Sequence, residues 1–232
     1  MSRLPRVVIP DVPHHVTQRG NGRARTFFGD DDYRLYLSLL ARHCRDAGVG
    51  VWAWVLMPNH VHLILCPSDG DGIRRALARV HRAYAGAVHA RTGRSGHFWQ
   101  GRFGCVAMDE AHLQAAARYI AFNPVRARLA KRPEDWPWSS ARRQLGLVDQ
   151  EAGGDGVTDP ELLRARVPDF AAFLRAGEDE ALSSALRRAE TIGRPLGDAA
   201  FLDRLESLTG RALRPRKRGP RPKAPEISAL SP

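Results

Sequence analysis

The sequence predicts an α+β fold in which helices cover one face of a mainly antiparallel sheet. Segments with strand and helix patterns follow one another in the order strand, helix, hairpin, helix, strand, helix. This order is typical of a split βαβ arrangement. The segment 159–210 has helical patterns and no clear strand, which adds a helical C-terminal extension to the predicted sheet domain.

The first half of the chain supplies a strand, a helix and a hairpin. Asp30 begins a run of three acids that suits a helix N-terminus, and Gly48 is placed to end that helix. The next two segments are rich in β-forming residues and are joined by a Pro-Asn turn. The predicted elements are a strand from 7–9 and 15–19, a helix at 30–47, and hairpin strands at 49–57 and 60–66.

The second half supplies a helix, a strand and another helix. We expect these at 73–91, 105–108 and 110–123. Asp109 can cap the last helix, and Pro124 disfavours helical backbone at Asn123, so this helix is expected to end there. The Gly-rich segment 149–156 predicts a boundary, giving a domain at 1–148, an extension at 158–210 and a disordered tail at 211–232.

Charge and composition narrow the possible functions. The net charge is +11 and the pI is about 10.6, which favours a polyanionic partner. The positive charge is local: 74–103 holds seven Arg and no acid, and 211–223 holds seven Lys or Arg and no acid. Three widely spaced cysteines argue against a disulfide framework or a zinc ribbon. No segment is typical of a bilayer span, so we expect a soluble protein of the cytoplasm.

Two histidines at the start of the second hairpin strand form a candidate metal site. Side chains on a strand alternate between faces, so His60 and His62 point to the same side. Two imidazoles fixed side by side form half of a metal site. The alternative is that one ring is an ordinary core residue and the other a surface residue, which for an isolated pair is the commoner case.

The helix at 110–123 can complete the site. Tyr119 and Asn123 are four residues apart and share a helix face. If this helix lies beside the histidine strand, Asn123 can give the metal an oxygen, and the open positions suit magnesium or manganese. A phenol near such a metal can attack phosphorus and form a covalent intermediate. The alternative is a packing role for the tyrosine.

The basic central stretch is a candidate interface with DNA. Arginines on one face of the helix at 73–91 can follow phosphates, and aromatic side chains interleaved with Arg can stack on unpaired bases. The alternative is a solvated arginine face. The predicted DNA-binding residues are Arg74, Arg75, Arg79, Arg82, Phe98, Trp99 and Arg102, with Arg216, Lys217 and Arg218 in the tail.

Five motifs, in this order, resemble the single-tyrosine transposases of the HUH class, and most closely the REP-associated branch. They read HHVTQRG at 14–20, MPNHVH at 57–62, WQGRF at 99–103, YIAFNPVRA at 119–127 and WSS at 138–140. The similarity covers roughly 3–145, and weaker similarity extends to 194–198 and 216–221.

The resemblance implies a ferredoxin-like domain that nicks and joins single-stranded DNA at or near palindromic hairpins through a 5′-phosphotyrosine. It implies His60 and His62 as metal ligands, Tyr119 as the nucleophile and Asn123 as the third ligand, where the insertion-sequence branch usually has glutamine. It also favours a monomer. A hairpin-binding protein without turnover and an RNA-binding protein remain open as alternatives.

Overall fold

A computed structural model of the protein describes residues 6–148, 156–177 and 179–214. Its sheet has the strand order β2-β3-β1-β4, and each neighbouring pair is antiparallel. This confirms the predicted α+β fold with a split βαβ order. The strands are β1 (His14–Arg19), β2 (Val49–Met57), β3 (His60–Pro67) and β4 (Gly104–Ala107).

The helices cover both faces of the sheet, whereas we expected them on one. The helices are α1 (Asp30–Asp46), α2 (Gly72–Thr92), α3 (Glu110–Arg126), α4 (Ala141–Gln144), α5 (Pro160–Arg164), α6 (Phe170–Arg175), α7 (Glu180–Ile192) and α8 (Ala199–Thr209). α1 and α2 share a core with Leu63 of β3, and α3 shares a second core with Ile64 on the opposite face. The near-continuous apolar runs of β2 and β3 explain this, because such strands are buried on both sides.

The first predicted strand is shorter in the structure than in the prediction. Val7 and Ile9 lie outside β1 and pack against Phe201 and Leu205 of α8. The backbone of Asp11 has a φ of 58° between two prolines, and this turn separates the two segments.

The predicted end of α3 at Asn123 is wrong, because the helix continues through Pro124 to Arg126. Arg128 then adopts a left-handed φ of 57°. The amide of Leu129 donates to the Pro124 carbonyl at 2.9 Å, and the amide of Arg128 donates to Val125 at 2.9 Å. This Schellman motif satisfies the last carbonyls, so the proline is accommodated in the final turn.

The C-terminal helices pack directly on the sheet domain. α7 contacts α3 and β4, and α5 contacts β2. The division at 1–148, 158–210 and 211–232 stays a prediction. Most of the boundary segment 149–156 and the tail residues Arg216, Lys217 and Arg218 lie outside the described residues. Within the described ranges, the helices are all too short or too polar to cross a bilayer.

Candidate metal and tyrosine site

The structure brings the two strand histidines together. His60 and His62 lie on the face of β3 that α3 covers, with ring centroids 5.0 Å apart. The His62 side chain is buried, with 1% of the residue exposed, and His60 is half-buried. The side-chain oxygen of Asn59 pairs with His60 Nδ1 at 2.6 Å, which orients the His60 ring and leaves its Nε2 to face other partners.

Tyr119 lies beside these rings. α3 places its ring edge-on to His62, with a centroid distance of 5.3 Å. The Arg126 guanidinium carbon lies 4.1 Å from the Tyr119 ring centroid, and its Nη2 donates to the Tyr119 carbonyl at 2.6 Å. Burial raises the pKa of the Tyr119 hydroxyl, and the charge of Glu190 adds to this rise while Arg126 opposes it. Tyr119 therefore lies next to the histidines within one chain, as the sequence predicts.

Asn123 follows one helical turn after Tyr119 and is buried, with 7% exposed. Within the described part of the chain, its side chain makes no hydrogen bond to His60 or His62. Helix register puts Asn123 one turn after Tyr119, and its role as a metal ligand stays a prediction.

His15 is a member of the cluster that we did not single out from the sequence. It lies on β1 two residues before Thr17, which pairs with His62, so the two histidines share a face of the sheet. His15 Nε2 lies 3.0 Å from His62 Nδ1, and the rings stack at a centroid distance of 5.2 Å. The sequence could have revealed His15, because side chains alternate along β1 and this places His15 on the same face as Thr17.

Glu190 is the second unpredicted member, and it comes from α7 in the C-terminal extension. Its Oε1 lies 3.7 Å from His62 Nδ1. Burial raises the pKa of this carboxyl to about 7, although Arg19 and Arg187 oppose the shift. No local sequence pattern marks Glu190, because its position depends on how α7 packs against the sheet.

The electrostatics of the cluster favour neutral imidazoles. Burial lowers the pKa of His60 to about 3, with a further contribution from Arg19, and burial lowers the pKa of His15 to about 4. Burial is also the largest cause that holds the pKa of His62 well below its usual range, followed by neighbouring His60 and His15. Neutral rings keep a lone pair for a metal ion.

The donor set fits a metal ion. His15, His62 and Glu190 each offer one ligand atom, and these atoms lie within 4.8 Å of one another. Three buried atoms of the set, His15 Nδ1, His62 Nε2 and Glu190 Oε1, have no hydrogen-bond partner within the described residues. Buried polar atoms are normally paired, so this cluster could bind a metal.

A polar cavity of about 400 Å³ opens beside the cluster. Three arginines line it together with His60, His62 and Glu190: Arg19, Arg23 and Arg102. We predicted Arg102 as a DNA contact but missed Arg19 and Arg23. Positive side chains around an open polar cavity can bind phosphate.

Two of the four arginines on α2 that we predicted as DNA contacts are held in ion pairs. Arg74 and Arg75 are paired with Asp71 and Asp69, at 2.5 and 2.6 Å. Arg79 and Arg82 are exposed, and they form no ion pair with any other described residue.

Phe98 and Trp99 are half-buried rather than open stacking surfaces. The Trp99 indole donates to the His81 carbonyl at 3.0 Å, and its ring packs 4.9 Å from the His81 ring. Phe98 packs against Tyr84 at 5.8 Å. Their rings therefore help to build the core beside α2, and base stacking by these two residues stays a prediction.

Comparisons with known proteins agree with the fold and the motifs. Residues 9–123 match the family model described as Transposase IS200 like. A REP-associated tyrosine transposase of Escherichia coli K12 is 28% identical over 131 residues, which cover 55% of this chain and 76% of the relative.

A solved structure described as a REP-associated tyrosine transposase bound to a REP hairpin is similar in fold. Its TM-score is 0.56 with 24% sequence identity, and the match covers 63% of this chain and 86% of the other. The region that matches the family model, residues 9–123, contains His15, the strand histidines, Tyr119 and Asn123. The part of the chain that carries the site, residues 9–123, therefore matches the IS200-like transposase family.

Proposed function

We propose that the protein is a metal-dependent single-stranded DNA endonuclease and strand transferase that cleaves at or near palindromic repeat hairpins. The observation that carries the proposal is the Tyr119 ring 5.3 Å from the His62 ring, beside a cavity lined by arginines. The REP-hairpin complex of the structural relative supports a hairpin as the substrate. We assign this activity to the domain at 1–148.

Tyr119 is the nucleophile in this proposal. Its phenol gives up the hydroxyl proton as the phenolic oxygen forms a bond to the phosphorus of the scissile phosphodiester, and the bond from phosphorus to the 3′ oxygen breaks. The 3′ oxygen takes up a proton and becomes a free hydroxyl, while the 5′ phosphate stays on the tyrosine. Because the phosphotyrosine keeps the bond energy, a 3′ hydroxyl can reverse the step and join strands without a nucleotide cofactor.

His60 and His62 would hold a divalent ion, with Asn123 as the expected third ligand. The unpaired buried nitrogen of His62 supports this assignment. Oxygen donors together with imidazoles suit magnesium or manganese. When bound, such an ion supplies electrostatic stabilisation of charge on the phosphate oxygens.

Arginines would bind the DNA backbone. Arg19, Arg23 and Arg102 line the cavity, and in this proposal they contact phosphates next to the scissile bond. Arg79 and Arg82 on α2 extend the positive surface, and the tail residues 216–218 remain predicted contacts. Such contacts supply affinity rather than sequence recognition.

One chain supplies both the histidines and the tyrosine, so we propose that the active protein is a monomer. The T-shaped contact of Tyr119 with His62 and its 6.1 Å centroid distance to His15 require no second subunit. A molar mass of one chain by light scattering, at concentrations that support cleavage, would agree with this proposal. A dimeric mass would contradict it.

The test is cleavage of an end-labelled hairpin oligonucleotide with a single-stranded flank. We expect cleavage by the wild type with Mg²⁺ or Mn²⁺, and none with EDTA or with Tyr119→Phe. Tyr33→Phe is the matched control, because Tyr33 packs on Phe27 and Trp138 rather than on the histidines. Cleavage by Tyr119→Phe at the wild-type rate would disprove the nucleophile assignment.

The second candidate is a protein that binds repeat hairpins without turnover. The observation in its favour is the burial of Tyr119, which is only 8% exposed. Tight binding of the hairpin with no cleavage by the wild type in any divalent metal would select this candidate.

A further inference from the structure

The Tyr119 hydroxyl does not orient its own ring. Within the described residues, this hydroxyl neither donates nor accepts a hydrogen bond. The ring makes T-shaped contacts with His62 at a centroid distance of 5.3 Å and with His15 at 6.1 Å. Because the hydroxyl is not held directly, its direction depends on the groups that pack against the ring.

Arg126 is the charged group that contacts this ring. It lies two helical turns after Tyr119 on the same face of α3. Its guanidinium carbon is 4.1 Å from the Tyr119 ring centroid, and its Nη2 donates to the Tyr119 carbonyl oxygen at 2.6 Å. Long side chains on a helix point back toward the helix N-terminus, which is why Arg126 reaches Tyr119. The guanidinium therefore contacts both the ring and the backbone of one residue.

The two contacts of Arg126 restrict the ring together. The hydrogen bond to the backbone fixes where the guanidinium lies, and the attraction between a cation and an aromatic ring favours one orientation of that ring. The direction of the hydroxyl relative to His62 is then fixed before DNA binds. Holding a reacting group in its attack geometry lowers the barrier, since less orientational freedom is lost during the reaction.

Arg126 differs in its position from the arginines that we assign to phosphate binding. Arg19, Arg23 and Arg102 line the polar cavity, whereas Arg126 is not among the described residues that line it. An arginine that binds phosphate contributes mainly to DNA affinity. An arginine that acts on Tyr119 contributes to the rate of cleavage, so the two roles can be separated by experiment.

We propose that Arg126 is a positioning residue that holds the Tyr119 ring in the orientation from which its hydroxyl attacks phosphorus. The inference rests on the proposed function, in which Tyr119 is the nucleophile. In this role Arg126 contacts neither the metal ion nor the scissile phosphate. It acts through the ring and the carbonyl of Tyr119.

The test compares the cleavage rate with DNA affinity, using the full-length protein and a fluorescein-labelled hairpin oligonucleotide with a single-stranded flank. Arg126→Met keeps a long side chain but removes the charge and the donors. We expect its single-turnover cleavage rate, with Mn²⁺ and saturating protein, to fall about ten-fold or more. Its Kd for the hairpin in EDTA, from fluorescence anisotropy, should stay close to that of the wild type. Arg126→Lys keeps a cation for the ring and should recover part of the rate.

Arg128→Met is the matched control, because Arg128 is also exposed near the end of α3 but its side chain does not contact Tyr119 within the described ranges. The control should cleave at the wild-type rate. Thermal unfolding shows whether each variant is folded, and Arg126→Gln takes the place of Arg126→Met if the latter does not fold.

Three results would overturn this inference and leave the proposed function standing. The first is a wild-type cleavage rate in the folded variant without the charge. The second is a loss of hairpin affinity with an unchanged rate, which would make Arg126 a phosphate contact. The third is a rate in Arg126→Lys as low as that in Arg126→Met. Failure of the wild type itself to cleave the hairpin would overturn both the inference and the proposed function.

Discussion

The rings of the site are oriented by direct hydrogen bonds between side chains. His15 Nε2 pairs with His62 Nδ1, and Asn59 pairs with His60 Nδ1. A hydrogen bond to one ring nitrogen fixes which nitrogen is left for a metal ion. We infer from this contact that His15 is a positioning residue for His62.

We expect His15→Phe to weaken Mn²⁺ binding by about ten- to a hundred-fold, the range for loss of such partners. The phenyl ring keeps the stacking with His62 but provides no acceptor. The measurement is calorimetric titration with Mn²⁺, and His97→Phe at an exposed position is the control. An unchanged affinity in a folded His15→Phe would show that the 3.0 Å contact does not position His62.

The sequence was enough to predict the residues whose placement follows from local periodicity. Strand alternation predicts that His60 and His62 share a face, and helical spacing predicts that Tyr119 and Asn123 do. Glu190 and the cavity arginines Arg19 and Arg23 were missed, because tertiary packing alone brings them to the histidines. The sequence predicts Trp99 as a DNA contact because no local pattern reveals that its indole bonds to the His81 carbonyl in the structure.

At the scale of elements, the contact of α7 with β4 decides whether the extension can contribute to the site. Gly104 makes this close approach possible, because an added Cβ would lie 2.6 Å from Thr17 Oγ1 and 2.9 Å from the Glu190 carbonyl oxygen. Local patterns predicted both elements but not their contact. Local patterns also did not predict that α3 continues past Pro124. The hydrogen bonds that close this helix come from the amides of Arg128 and Leu129, which lie beyond it.

We expect Gly104→Ala to lower the free energy of unfolding by roughly 1–3 kcal/mol, the usual cost of overpacking. Gly86→Ala is the matched control, because this helical glycine has open space around it and the change should stabilise the protein by roughly 0.5–1 kcal/mol. Urea unfolding at neutral pH measures both. A Gly104→Ala variant as stable as the wild type would show that α7 does not pack this tightly.

At the scale of the whole molecule, buried neutral histidines make stability depend on pH. His81 lies in the core, where its Nε2 is 3.1 Å from the Tyr36 hydroxyl oxygen. Burial, together with the charge of Arg6, lowers the pKa of His81 to about 3 from an ordinary value of 6.5. As the pH falls, His81 therefore binds a proton in the unfolded chain at a higher pH than in the folded protein. The free energy of unfolding is highest above pH 6.5 and decreases as the pH falls toward 3.

We expect His81 alone to cost about 2 kcal/mol of stability at pH 5 relative to pH 8. His81→Gln removes the titrating group, so its stability should fall less over this range than that of the wild type. His97→Gln, at an exposed position, is the control substitution. Urea unfolding at both pH values measures the free energy of unfolding. An equal loss of this free energy between pH 8 and pH 5 in His81→Gln and the wild type would contradict the account.

The central claim is that the protein acts on DNA through a covalent bond at Tyr119. The most direct measurement is intact and peptide mass spectrometry of the protein after incubation with a single-stranded hairpin and Mn²⁺. The account predicts an adduct with the mass of the 5′-phosphorylated product, located on the peptide that contains Tyr119, and its absence with EDTA or Tyr119→Phe. An adduct on another residue, or cleavage of the hairpin without any adduct, would contradict it.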